Sequence, residues 1–197
     1  MARITSINAR IIHNSRGSKT IEVDVISDNQ YLGRTSAPSG ASVGKYEAVS
    51  FPENGPEQSL RILNENSEKF LEFESSDLKS IDETLKSIDK TSDYSKIGGA
   101  LAYAVTIASM ESASKASGKQ LFELISEQNE YRFPIPIGNI LGGGAHAGPG
   151  TPDIQEILIS APGAKTIRDA IETNFAVHSE LRNVIEKTDP SFTNGRG

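Results

Sequence analysis

The residues best suited to chemistry lie in 134–159, PIPIGNILGGGAHAGPGTPDIQEILI. Gly142, Gly143 and Gly144 precede a lone His146, and Gln155 and Glu156 stand together inside the apolar run that follows. Consecutive glycines let the backbone take positive φ and come close to a ligand. Glu156 interrupts the apolar run, and an unpaired carboxylate is costly to bury, so it should meet something polar. A buried ion pair is the plainer alternative. Neighbouring strand residues point to opposite faces, so Gln155 and Glu156 can serve one site only at a strand end or a bulge. Gln155 otherwise reads as an ordinary strand-end residue. His146 has no histidine or cysteine close by, which favours a loop histidine over a metal ligand. His13 and His178 lack comparable context and read as structural or surface residues.

A second candidate is the loop 38–47, PSGASVGKYE, in which Ser42 lies between Gly40 and Gly44. A phosphate-binding reading fails on spacing, because Ser39 stands where the first glycine is needed and Tyr46 follows Lys45. A serine in such a loop is most often solvated or part of a turn.

These candidates need elements to position them. Ile7, Ala9 and Ile11 alternate, as do Ile21, Val23 and Val25, the period of half-buried strands. Asn14–Gly17 and Asp28–Asn29 read as turns, and Tyr31–Ala37 as a third strand. Leu60, Leu63, Ser67, Phe70 and Leu71 form a helical stripe. Leu78, Ile81, Leu85 and Ile88 form a second, with Asp77 or Ser76 as its cap. Gly98–Ser117 is rich in small residues and closed by Gly118, and Leu121, Leu124 and Ile125 suggest one more short helix. Three strands followed by helices predict an α+β N-terminal domain, a three-stranded antiparallel meander plus helices, over 1–127. After a polar connector, residues 134–197 hold a strand–loop–strand and a helix from about Thr166 to Glu186, expected to bury Ile167, Ala170, Ile171, Leu181 and Ile185.

The motifs PIPIGNILGGGAHAG and DIQEILI resemble the start of the barrel domain of the enolase (phosphopyruvate hydratase) family, in its archaeal form. HNSRGSKTIEVDV, APSGASVGKYEAV and SKIGGALAYAV resemble its N-terminal domain, so the likeness runs in order along effectively the whole chain. It implies that 134–197 is the truncated start of an α/β (TIM-like) barrel, which needs about eight strands. It also implies dehydration of 2-phospho-D-glycerate to phosphoenolpyruvate in glycolysis, reversed in gluconeogenesis, with Mg2+ as cofactor and a homodimer as the full-length state. Within the family the residue matching Ser42 is a lid serine that ligates the second magnesium ion. Those matching His146, Gln155 and Glu156 line the substrate site, and Arg16 resembles a position near the dimer contact. The general acid, the lysine base and the carboxylates of the tight metal site are expected beyond Gly197, so the isolated chain is expected to be inactive. Asn14, Ser18-Lys19, Val43 and a GPGTPD segment one residue longer than usual depart from the commonest family pattern.

The net charge of −6 disfavours nucleic-acid or anionic-membrane surfaces, which need clustered Lys and Arg. The absence of cysteine excludes disulfides and thiol chemistry. A mean hydropathy of −0.36 with no apolar stretch of bilayer length points to a cytoplasmic protein without a membrane span. Two rival functions stand beside the enzyme reading. One is a non-catalytic interaction or dimerisation module derived from enolase; the other is a superfamily member acting on a different carboxylate acid.

Overall fold

The computed structural model describes residues 2–40, 43–126, 128, 130–144 and 151–189. The chain divides into two compact units, Met1–Gln128 and Asn129–Gly197.

The first unit begins with an antiparallel meander of β1 (Ile4–His13), β2 (Lys19–Ser27) and β3 (Tyr31–Ser36), in spatial order β1-β2-β3. The register pairs Ile7 with Val25, Ala9 with Val23 and Val25 with Gly33. Strict alternation would put Ile4 and Ile7 on opposite faces, yet both are buried. The register irregularity between Ile4 and Ser6 resolves this, since an inserted residue returns the next side chain to the same face.

Helix α1 (Pro56–Asn66) gives way at Ser67 to a 3-10 turn ending at Phe70. The apolar stripe read as one helix is therefore two elements, and the tighter turn carries Phe70 into the core, fully buried. Helix α2 (Leu78–Asp89) has the Asp77 cap, with the Ser80 amide donating to its carboxylate at 3.1 Å. Its last residue, Asp89, is buried and accepts from the amides of Thr91 (2.9 Å), Lys96 (3.1 Å) and Ile97 (2.8 Å). A buried carboxylate is tolerable only with such donors, and this one ties the 90–97 connection to the end of α2.

Helix α3 (Gly99–Ser117) lies against β2 and β3. Its alanines and serines allow that approach: Ala104, Val105, Ala108, Ser109 and Ser112 are all buried. A Cβ on Gly33 would stand 1.8 Å from the Ala108 carbonyl oxygen, so β3 can carry only glycine there. Ser112 donates to the Tyr31 carbonyl at 2.7 Å and is bonded to Ser27 at 2.7 Å, pinning the helix to the sheet. Gly118 closes α3 with φ 67°, and α4 (Leu121–Ile125) follows under a Gln120/Glu123 capping box.

The second unit contains an antiparallel pair, β4 (Ile137–Gly142) and β5 (Glu156–Ser160), and a helix α5 (Ile167–Thr188) capped by Thr166. Only Ala170 of α5 is buried. The helix forms as its periodicity predicts, but Ile167 and Ile171 are exposed, and Leu181 and Ile185 are half-buried. Two strands cannot cover a helix face of this length, so its apolar stripe stays open to solvent.

Candidate functional site

Ser42 lies outside the described residues, but the structure places both flanks of its loop. On the entering side, Arg16 Nη2 donates to the carbonyls of Ser39 and Gly40 (3.0 Å to Gly40), and Asn14 Nδ2 donates to Ser39 Oγ at 2.9 Å. On the leaving side, the Gly44 amide donates to Glu47 Oε1 at 2.9 Å. The Val49 amide donates to the Asp93 carbonyl at 2.8 Å, and the Gly99 amide, opening α3, donates to the Val49 carbonyl at 2.7 Å. The first amides of a helix have no partner within it; here they hold the segment that follows the loop. Val43 and Tyr46 are exposed, with the Lys45 ammonium over the Tyr46 ring.

His146 likewise lies outside the described residues. The described residues on either side of it are bonded to one another. The Gly143 amide donates to the Gln155 carbonyl and the Gly144 amide to the Pro152 carbonyl, both at 2.8 Å. A Cβ on Gly143 would lie 2.2 Å from the Ile154 carbonyl oxygen, and Gly144 has φ 63°. The triplet thus folds back against 152–155, as a glycine run can and a substituted one cannot.

Gln155 immediately precedes β5, and Glu156 is its first residue, paired across the ladder with Gly142. Both sit at a strand end, the geometry in which adjacent residues can address one site. Both are also exposed. This corrects the expectation that Glu156 is buried against a polar partner: it opens β5 and is exposed.

His13 is exposed at the end of β1, and His178 is half-buried on α5. Among the described residues no group of three or more His, Asp or Glu converges on a point that could hold a metal ion. Nor is any of their helices long and apolar enough to cross a membrane.

One charged constellation escaped the sequence reading. Arg10, Glu22, Asp24 and Arg34 line up across β1, β2 and β3 because the register sets Arg10 opposite Glu22 and Asp24 opposite Arg34. Arg34 grips Asp24 with two bonds of 2.6 and 2.9 Å, and Arg10 adds two of 2.8 and 3.3 Å and pairs with Glu22. Hydrogen bonding from Arg34, joined by Arg10, outweighs desolvation and lowers the Asp24 pKa from 3.8 to about 2. Nothing in the strands' own alternation announces this; pairing creates it.

Comparison with known proteins adds to this geometry. The model of the enolase N-terminal domain matches residues 4–125, and that of the enolase C-terminal TIM barrel domain matches residues 130–195. The enolases of Methanosphaera stadtmanae and Methanothermobacter thermautotrophicus are each 40% identical over 195 residues, covering 98% of this chain and 47% of theirs. That of Halorubrum lacusprofundi is 37% identical over 189 residues, covering 95% of this chain and 46% of its own. The chain spans about half the length of the curated relatives it matches.

Proposed function

This chain belongs to the enolase family, and from that premise we propose that it forms part of a phosphopyruvate hydratase. The reaction is dehydration of 2-phospho-D-glycerate to phosphoenolpyruvate, in cytoplasmic glycolysis, with the reverse direction serving gluconeogenesis. The observation that carries this reading is the match of both enolase domain models, in order, along one chain. The N-terminal α+β unit and the beginning of the barrel are the two domains of that enzyme, divided within 128–133.

In this reading the chain's own residues bind and orient. Ser42 gives an oxygen to the second of two magnesium ions, hard cations that favour oxygen donors beside substrate phosphate. Bound there, the ions would supply positive charge to offset the negative charge that develops on the substrate. The remaining ligands are proposed to lie in the half of the family that this chain does not span. The general acid and the lysine base belong there too. His146, Gln155 and Glu156 line the substrate site, His146 and Glu156 on the side where the hydroxyl departs. Their support is the fold-back of Gly143 and Gly144 onto 152–155, which brings the start of the histidine loop beside the head of β5. The full-length protein is proposed to be a homodimer.

The intact mass of the native gene product is the first test. A mass near twice 21.2 kDa would agree with a lid domain joined to a complete barrel. A mass of 21.2 kDa would favour a non-catalytic interaction module instead. Purified 197-residue chain is expected to show no turnover of 2-phosphoglycerate with magnesium, and measurable turnover would overturn that assignment of roles.

A further inference from the structure

The meander has two outer edges, and they meet different partners. At the start of β1 the chain itself returns. The Ile4 amide donates to the Phe73 carbonyl at 2.8 Å, the Glu72 amide donates to the Ile4 carbonyl at 2.9 Å, and Arg3 forms a β-bridge with Glu74. On the far side of β3 no described strand pairs with residues 31–36. Two side chains of α3 stand there instead. The Arg34 amide donates to Glu111 Oε2 at 3.2 Å, and Lys115 Nζ donates to the Leu32 carbonyl. Antiparallel pairing turns the backbone groups of every second residue away from the partner strand, so Leu32 and Arg34 carry the outward groups of this edge. Glu111 and Lys115 are four apart and share one flank of the helix. Close packing brings that flank to the strand. Gly33, between the two outward residues, faces the Ala108 carbonyl oxygen and the Ser112 amide nitrogen, where a Cβ would stand 1.8 and 2.5 Å away.

An edge strand with free N–H and C=O groups is a template for pairing with another chain, and charged side chains are one way of closing it. We propose that Glu111 and Lys115 guard β3: by engaging the Arg34 amide and the Leu32 carbonyl, they keep this edge from pairing with the β3 of a second copy of this chain. A second copy is the partner to exclude, because two identical edges related by a two-fold axis run antiparallel and each offers the donors and acceptors that the other needs. Both side chains must withdraw before such a ladder can close. A carboxylate accepting from the amide and an ammonium donating to the carbonyl match the groups they occupy, and neither charge can enter a dry strand interface cheaply. Lys115 is exposed and Glu111 half-buried, and neither belongs to the apolar core. The guard is independent of the enzyme reading and concerns the first unit alone.

The test uses the whole 197-residue chain and compares it with the double variant Glu111→Ala, Lys115→Ala, in which alanine preserves the helix. At low protein concentration, hydrogen exchange at the Arg34 amide, followed by NMR, should quicken about tenfold in the variant as one charge-assisted bond is lost. As concentration rises, sedimentation velocity should show the variant forming a dimer, and exchange over residues 31–36 should slow again as the edges pair. The unsubstituted chain should show neither change. Association through the open faces of the second unit would occur in both chains and leave exchange over 31–36 untouched, which separates it from edge pairing. Glu111→Gln with Lys115→Arg keeps an acceptor and a donor in place and should behave as the unsubstituted chain. A double alanine variant that gains no protection over 31–36 at any concentration overturns the proposal. If that variant unfolds, Glu111→Ala alone carries the test, with the same two outcomes.

Discussion

The two units of this chain use similar residues to opposite effect. In the first, a sheet of three strands, the 3-10 turn and helices α1–α3 enclose a continuous core running from Ile4 to Ala108. In the second, a two-stranded sheet and one long helix leave Ile137, Ile157, Leu158, Ile171 and Phe175 exposed. Phe70 is 0% exposed and Phe175 69%. The difference is not in hydrophobicity of sequence but in the number of elements available to cover each face. A sheet and a helix each need a partner layer, and only the first unit supplies one within itself.

The sharpest way to break this contrast is to separate the units. Residues 2–128 alone should unfold in one cooperative thermal transition, while residues 130–197 alone should bind a hydrophobic dye and melt without one. A sharp transition for 130–197, followed by circular dichroism, would show that the open faces do not govern its stability. Next in size is a matched pair of truncations. Phe70→Ala should cost about 3–5 kcal/mol in urea unfolding, the usual range for a buried phenylalanine, and Phe175→Ala less than about 0.5 kcal/mol.

Glycines sharpen the same comparison. Gly33→Ala forces a methyl into the Ala108 carbonyl and should destabilise by about 1–3 kcal/mol, as overpacking does. Gly163→Ala meets nothing within 4 Å and should leave the melting curve unmoved. The smallest effect is the pH dependence of the first unit. Asp24 has a folded pKa of about 2, lowered from 3.8. Its contribution is therefore complete above about pH 4 and is lost as pH falls through 2. Asp24→Asn should flatten the acid limb of the stability profile over that window and lower stability at neutral pH by about 1–2 kcal/mol. An identical acid limb in the variant would remove Asp24 from that account.

Much of the fold could be read from local pattern. The strands of the meander follow the alternation at Ile7–Ile11 and Ile21–Val25, and α2 follows its Asp77 cap and three-to-four spacing. Gly118 ends α3 with the left-handed conformation that glycine adopts without strain. Where reading failed, a non-local term decided. The stripe from Leu60 to Leu71 breaks at Ser67 because Phe70 must enter the core. Glu156 is exposed where it opens β5. Arg16 bonds residues 23 and 24 positions away, and no periodicity connects them.

By itself, then, the sequence determined the strands of the meander, the caps of α2 and the end of α3, though not the break at Ser67, and through its long ordered motifs which family the chain resembles. These follow from backbone sterics, capping and periodicity, which act over a few residues. Only the tertiary structure decided which apolar faces are covered and which polar groups meet. The ladder of Arg10, Glu22, Asp24 and Arg34 exists because strand register aligns it, and Gly33 is required because a helix from 75 residues later in the chain lies on it. Burial and cross-strand contact depend on which neighbours arrive, and residues distant in the chain supply them.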